Sequence, residues 1–475
     1  MRSLGIGLVA AALVGPSVAR ADSLPNHDFT IDLFQGPILA PLRVLGIAGA
    51  YAGYAEGIAG FVSNAASPAV RSPYSVRNVD AEVSASLSIP ISLFQSNDFD
   101  NSGDRDKDYS NFVYGTGGAQ IQAGPVGAGA LVELQRYTVS ASDGTQSNVL
   151  VGKYHVLGGL NVLRGQLALG AGLRGVTMGL STPDVTLTIG GAAPQLGFLV
   201  RPNLLPFRVG GTFRFPVNGG AASDRGLVGP DGVRRAGRFA LPRRVTLPWE
   251  LEVGFAFQAG PRPLNPTWID PVEAEAPLHA RVEHQRLARA RERARREAKL
   301  KPDELASFRA HEAFEESILR EHEDAWFDGE ARYLRDQRVG RSEAWPRQRI
   351  LFTGALVVSG AVDQGVSIER FLAQQVSGQD RGKVIGTSGA SVNYSPRLGI
   401  EAEPIENLVL TRVGSYYEPN RFGRVGRQHF TFGGDIRLFS TTYWGLVPKV
   451  TYAISAAMDF APRYESVSAS IGVWH

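Results

Sequence analysis

The amino-acid sequence predicts an all-β protein: a transmembrane antiparallel β-barrel of about 14 strands, with an N-terminal hatch, or plug, inside it and a charged helical hairpin inserted between two strands. Three observations carry that expectation. First, Val79, Ala81, Val83, Ala85, Leu87, Ile89, Ile91 and Leu93 alternate with Asp80, Glu82, Ser84, Ser86, Ser88, Pro90 and Ser92. This period of two gives a strand one oily and one wet face and gives no helix an apolar side. Second, segments of the same kind recur to the end of the chain. Third, the N-terminus reads as an export signal, and no later segment approaches the roughly 20 continuous apolar residues of a spanning helix. An exported chain of amphipathic strands points to the outer membrane of a Gram-negative cell.

Composition narrows the function classes. The chain has 475 residues, 55 glycines, no cysteine and a net charge of +3. Absent cysteines exclude disulfide scaffolds, thiolate metal sites, cysteine nucleophiles and a lipid-bearing cysteine. The small positive balance gives no warrant for a nucleic-acid partner.

In order, Arg2, the apolar run Leu4 to Val18 and Ala19-Arg20-Ala21 form a signal peptide over residues 1–21, cleaved after Ala21. Residues 22–76 lack alternation. Their small residues permit close backbone approach and short helical turns, so they read as a hatch inside the barrel. Within it, Leu45-Gly-Ile-Ala-Gly-Ala-Tyr-Ala-Gly-Tyr-Ala-Glu56 and Ser63-Asn-Ala-Ala-Ser-Pro-Ala69 resemble the hatch of the FadL/TodX family of outer-membrane channels for long-chain fatty acids and other hydrophobic compounds. Gly46, Gly49, Asn64 and Pro68 are the residues that carry the likeness. The family shows an Asn-Pro-Ala-Gly motif, whereas here Ala65 follows Asn64 and the Pro-Ala pair comes at Pro68-Ala69. The resemblance implies a hydrophobic solute that binds near the outer mouth and leaves through a lateral opening beside the hatch.

Residues 77–265 read as strands one to eight. After the first, strands are expected near residues 111–123, 126–139, 149–162, 166–178, 194–201, 207–215 and 249–258. Residues 349–475 supply the ninth to fourteenth, near 350–360, 392–401, 408–417, 430–438, 449–460 and 467–473. An even number suits a barrel with both termini in the periplasm. A soluble sandwich would alternate too, but charges on so many wet faces and aromatic residues near strand ends favour the membrane. Ser84, Ser86 and Ser88 are expected against the hatch, and the lumen to be polar and mixed in sign. Arg208, Arg214, Arg397 and Arg437 would there oppose Glu133, Glu250, Glu252, Glu401 and Asp435. Val467, Ala469, Ile471, Val473 and Trp474 resemble the C-terminal signal read by the barrel assembly machinery, although His475 is last.

Residues 266–348 break the pattern. From Pro271 to Trp345 glycine nearly vanishes and Ala, Glu and Arg dominate, which reads as helix divided at Pro302. A basic first half and an acidic second half fold back in register, with Leu287, Ala290, Ala294 and Ala298 facing Leu305, Phe308, Phe314 and Ile318. Strand parity puts this hairpin in the periplasm, where it is either a docking site for a periplasmic protein or a solvated spacer. His279, His284, His311 and His322 fit no ligand spacing.

Asp98, Asp100, Ser102, Asp104 and Asp106 place alternate oxygens around Gly103, as at the start of a calcium loop, but Tyr109 replaces the closing glutamate. Calcium is the one cofactor to consider. Gly170-Ala-Gly172-Leu-Arg-Gly175 matches a dinucleotide fingerprint but lies within a strand, so it reads as wall glycines beside the hatch. His155 and His429 have no nucleophile motif beside them, which argues against an enzyme. The sequence thus predicts passive uptake of hydrophobic compounds, fatty-acid-like or otherwise lipophilic. The alternative is a structural or assembly barrel that presents the hairpin to a periplasmic partner.

Overall fold

The computed structural model describes residues 28–71, 75, 78–89, 98–102, 108–140, 146–181, 186–220, 227–230, 232–236, 239–372, 387–443 and 447–473. The wall strands are β1 (Val79–Ile89), β2 (Asp108–Ala123), β3 (Val126–Ser140), β4 (Gln146–Val162), β5 (Leu167–Ser181), β6 (Thr186–Val200) and β7 (Phe207–Arg214). They continue as β8 (Glu250–Ala259), β9 (Ile350–Ser359), β10 (Asn393–Ile405), β11 (Val409–Glu418), β12 (Arg427–Tyr443), β13 (Val447–Ala461) and β14 (Tyr464–Val473). Each pairs antiparallel with its sequence neighbours, and β14 returns to β1, closing one barrel of 14 strands.

Alternation explains the wall. Along β8, Leu251, Val253, Phe255 and Phe257 are exposed on the outside while Glu252 and Gln258 are buried inside. In lipid every backbone polar group must be satisfied internally, which a closed ladder achieves and an open sheet does not. A closed barrel with an apolar exterior is a transmembrane barrel of the outer-membrane type. Val467, Ala469 and Ile471 lie on the outer side of β14, as do Val83 and Leu87 on β1. Trp474, and the first strand's expected extension from Pro90 to Leu93, lie outside the described residues.

The two ends differ. Connections β2–β3, β4–β5, β6–β7 and β10–β11 are short and share one end, whereas β1–β2, β7–β8 and β9–β10 are long and share the other. These are called the turn end and the loop end. At the turn end, between β8 and β9, stand α1 (Pro271–Glu297) and α2 (Leu305–Glu343). Asp270 caps α1 by accepting from the Val272 backbone N–H at 2.9 Å, with Pro271 in the first turn.

The helices meet through charge. Arg286 reaches Glu323 and Asp324 at 2.8 Å, Arg289 reaches Glu323 at 2.5 Å and Glu316 at 3.3 Å, and Arg296 reaches Glu312 at 3.0 Å. The expected facing residues are corrected here. Leu305 and Phe308 are half-buried, but Leu287, Ala290, Ala294, Ala298, Phe314 and Ile318 are exposed. The arginines occupy the contact stripe, which turns the apolar positions of α1 to the opposite side.

Inside the wall runs the N-terminal segment. Thr30–Asp32 pairs parallel with Arg244–Leu247 and with Gly365–Ser367, strands from the long β7–β8 and β9–β10 loops, and so lies at the loop end. The chain then descends through helical turns at Leu42–Gly46, Ile58–Val62 and Ser67–Ala69, which pack on the inner wall. Glycines let it approach closely. A Cβ at Gly127 would lie 1.8 Å from the Pro68 carbonyl oxygen, and one at Gly170 2.0 Å from that of Ala65.

The lumen, expected to be polar and mixed in sign, is so only in part. In the loop-end half, Phe29, Ile31, Phe99, Phe112, Tyr137 and Phe371 belong to one apolar core joined by inward wall residues such as Val151 and Met178. The Phe99 and Phe112 rings stand 4.7 Å apart. Burying each such side chain contributes about 1.5–3 kcal/mol.

Candidate functional site in the barrel lumen

Of the charged residues expected in the lumen, Arg208, Glu401 and Asp435 lie toward the turn end, in a network that holds the N-terminal segment. Glu401 on β10, 1% exposed, accepts from Arg43 of the segment at 2.9 and 3.1 Å, from Arg349 at 2.6 Å and from Arg412 of β11 at 2.7 Å. Arg412 also donates to Asp435 of β12 at 2.8 and 2.5 Å. Glu56 accepts from Arg208 of β7 at 2.7 Å and lies 4.0 Å from Arg43. Burial alone would raise the Glu56 carboxyl, but Arg208 and Arg43 outweigh it and hold it at about 2. Both guanidiniums lie 4.8 Å over the Tyr54 ring.

Higher in the lumen, Arg214 pairs with Glu252 at 3.1 Å and Arg174 with Glu250 at 2.6 Å. The Arg437 side chain stands apart, its one described hydrogen bond going to the Asn407 carbonyl at 3.4 Å. His155 lies between Glu133 at 3.2 Å and Gln195 at 3.1 Å, and His429 between Asp459 at 2.8 Å and Glu418 at 2.6 Å. Tyr416 donates to Asp459 at 2.7 Å and its hydroxyl accepts from the Ile38 backbone N–H at 3.2 Å, so this cluster also touches the segment. Arg43, Arg349, Glu133 and the His429 pair were either not singled out or not assigned partners from sequence. Arg43 and Glu401 are 358 residues apart, and the other partners lie on separate strands, so only strand register reveals them.

The hatch residues singled out in the sequence are fastenings. Asn64, fully buried, donates to the Ala52 and Phe198 carbonyls at 2.9 and 2.8 Å, and its side-chain oxygen accepts from Ala66 N–H at 3.0 Å. Pro68 offers its carbonyl to Gln122 of β2 at 2.8 Å. Gly49 has φ +68° and its carbonyl accepts from Arg397 at 3.4 Å, while Gly46 ends a helical turn against Arg412. Ser84 and Ser86 face a cavity beside the segment.

The acidic loop is only partly described. Asp98 lies 3.7 Å from Arg463, and Asp100 accepts from the Ser102 N–H at 3.2 Å and from Ser367 at 3.4 Å. Asp104 and Asp106 lie outside the described residues, and among the described residues no group of three metal-ligating side chains converges.

Among the described residues, three cavities are bordered by the segment and the inner wall. One of about 20 Å³ adjoins Phe99 and Phe422, and one of about 120 Å³ is lined by Lys153, His155, Arg174 and Arg397. A third, of about 190 Å³, lies between the segment and β1, β2, β11 and β14. Each is smaller than the roughly 300–1,000 Å³ of a ligand pocket.

No family model matches the chain, and no curated protein matches it in sequence. Among solved structures it is similar to the CymD monoaromatic hydrocarbon channel, with 10% identity, TM-score 0.45, and 93% of this chain and 99% of that chain covered. It is similar to a Pseudomonas aeruginosa FadL homologue at 9% identity and TM-score 0.44, covering 94% and 100% of the two chains. The P. putida toluene transporter TodX follows at 11% identity and TM-score 0.42, covering 93% and 100%. At TM-scores below 0.5 these likenesses decide nothing about the chemistry of the lumen, which rests on the side chains themselves.

Proposed function

We propose that this protein is an outer-membrane channel for passive uptake of hydrophobic compounds, fatty-acid-like or otherwise lipophilic, which bind and diffuse past the N-terminal segment acting as a plug. The observation that carries this reading is the apolar core filling the loop-end half of the lumen. A hydrated solute would have to shed its water to enter it, whereas a lipophilic one replaces apolar contacts with apolar contacts. The sequence likeness of residues 45–69 to the FadL/TodX hatch agrees with it. The resting cavities are too small for such a solute, so passage requires the segment to shift on its fastenings.

The test is reconstitution in lipid vesicles. A lipophilic fluorescent probe should enter faster than in protein-free vesicles, while a small sugar should show no protein-dependent swelling. Absence of uptake for every lipophilic probe would sink the reading.

A second reading, a barrel that presents α1 and α2 to a periplasmic protein, is favoured by one observation. Phe314 is 64% exposed, and Val272, Leu287, Ile318, Leu319 and Tyr333 are also exposed, on a hairpin rich in charge. Deleting residues 271–345 separates the two, because uptake survives the deletion if the hairpin plays no part in transport.

A further inference from the structure

His429 on β12 is fully buried, with a carboxylate against each ring nitrogen. Its Nδ1 lies 2.8 Å from Asp459 Oδ1 of β13, and its Nε2 lies 2.6 Å from Glu418 Oε2 of β11. Both carboxylates already serve other donors. Asp459 accepts from the Tyr416 hydroxyl at 2.7 Å, and Glu418 accepts from Arg427 at 2.6 and 3.2 Å. Two carboxylate acceptors call for two ring donors, and only the imidazolium has both. With the Arg427 guanidinium, its charge balances the two buried carboxylates; without it one negative charge is left buried and uncompensated. The remaining neighbours do not supply that charge. Tyr416 stacks on the ring at 4.2 Å and Tyr464 of β14 stands 5.3 Å away, both as phenols. Arg427 spends its other donors on the Asp98 and Phe99 carbonyls, and Arg463 lies 3.7 Å from the Asp98 carboxylate.

Both carboxylates bear on the N-terminal segment. A Cβ at Gly36 would lie 2.0 Å from Glu418 Oε1, so the segment is pressed against that carboxylate. Two residues on, the Ile38 backbone N–H donates to the Tyr416 hydroxyl at 3.2 Å, and that hydroxyl donates to Asp459. His429 thus joins the two supports of residues 36–38. Gly36 also borders both the 20 Å³ and the 120 Å³ cavity, so displacing this stretch would join them.

We propose that His429 is a pH-sensitive clasp on the N-terminal segment. Protonated, it draws Asp459 and Glu418 together beneath residues 36–38; deprotonated, it lets them part and frees that stretch. Because the closed form carries the proton, rising pH opens the clasp. The clasp stands on the geometry of the lumen alone, whereas its use as a gate rests on the channel reading given above.

Hydrogen exchange at the Ile38 amide, followed by NMR on the full protein in lipid nanodiscs and corrected for the intrinsic rate, reads the clasp directly. From about pH 6 to about pH 10 its protection should fall at least about tenfold. Ala66, whose N–H bonds to the Asn64 side chain at 3.0 Å, should keep its protection over that range. Constant protection at Ile38, or parallel loss at Ala66, overturns the clasp. His429→Gln should hold Ile38 at the low level at every pH, and wild-type protection in that variant overturns the assignment to His429. Should the variant fail to fold, the nitrogen shifts of the wild-type ring decide. A ring already neutral at about pH 6, or one that titrates without change at Ile38, overturns the clasp. In vesicles that take up a lipophilic probe, uptake should quicken over the same pH range in the wild type. Uptake indifferent to pH overturns the gate; no uptake of any probe overturns the channel reading, and the exchange data alone then decide the clasp.

Discussion

Glu401→Ala offers the clearest test of how the segment is held. The carboxylate is 1% exposed and accepts from three guanidiniums, Arg43 at 2.9 Å, Arg349 at 2.6 Å and Arg412 at 2.7 Å. Its removal leaves them unequally provided. Arg412 keeps Asp435 at 2.5 Å, Arg349 keeps the Tyr54 hydroxyl at 3.3 Å, and Arg43 keeps Glu56 only at 4.0 Å. Removing one partner of a buried ion pair costs about 3–5 kcal/mol, chiefly because a charge is left buried and uncompensated. Arg412 and Arg43 each keep a carboxylate while Arg349 keeps only a neutral hydroxyl, so the expected loss is that of one broken pair, about 3–5 kcal/mol and not a multiple of it. Urea titration of the protein folded in vesicles measures it, with Arg437→Ala as the control, because that side chain's one described hydrogen bond goes to the Asn407 carbonyl at 3.4 Å. The control should change stability by less than about 0.5 kcal/mol. A loss below about 1 kcal/mol for Glu401→Ala would refute the claim that this carboxylate anchors the segment.

Other expectations follow from the same contacts. Leu87→Arg puts a charge on the outer face of β1 and should cost about 2–4 kcal/mol near the bilayer midplane, measured by folding equilibria in bilayers; no penalty would reverse the face assignment. Asn64→Ala strands the Ala52 and Phe198 carbonyls and should cost about 1–3 kcal/mol, with faster hydrogen exchange in residues 52–66; unchanged exchange would show that the fastening is redundant. In the hairpin, hydrogen bonds from Arg289 hold the Glu316 and Glu323 carboxyls below their usual range, against a smaller opposing effect of burial. Groups whose folded values are depressed stabilise above the unfolded value and lose that stabilisation as pH falls through the folded one. The α1–α2 contact should therefore loosen below about pH 4 and not at alkaline pH. Distance measurements between labels on the two helices would show it, and separation on raising the pH would contradict it.

The wall was legible wherever one face meets lipid and the other meets charge. Strand β8 alternates Leu251, Val253, Phe255 and Phe257 with Glu250, Glu252 and Gln258, so its limits fall within a residue of the expected ones. Legibility failed where both faces are apolar or the sense inverts. Along the first half of β6, Leu187 and Ile189 point inward into the loop-end core while Thr186 and Thr188 face out. The expected strand therefore began near Pro194, eight residues late. The same core accounts for the part of the lumen that is not polar. Residues such as Val149 and Val151 are apolar on the inside, beside Leu150 on the outside, and no sequence period separates a lipid neighbour from a protein one. The hairpin's ion pairs were foreseeable from its charge halves, but their rotational setting was not, since arginine stems can cover a helix face as aliphatic residues do.

The two kinds of holding force divide the lumen in a way that bears on transport. At the loop end the segment is kept in place by apolar contacts of Phe29 and Ile31, with which a lipophilic solute can compete, and also by its two ladders and the buried Asp32–Arg421 ion pair at 2.7 Å, with which it cannot. At the turn end it is kept by Arg43 and Glu56 within a network of buried ions, to which such a solute offers nothing. A solute entering from the loop end would therefore displace the apolar contacts of Phe29 and Ile31 before either set of ion pairs. On this account Phe29→Ser should speed hydrogen exchange in residues 30–32 and leave protection in residues 52–66 unchanged. Loss of protection in both together would show that the segment moves as one body.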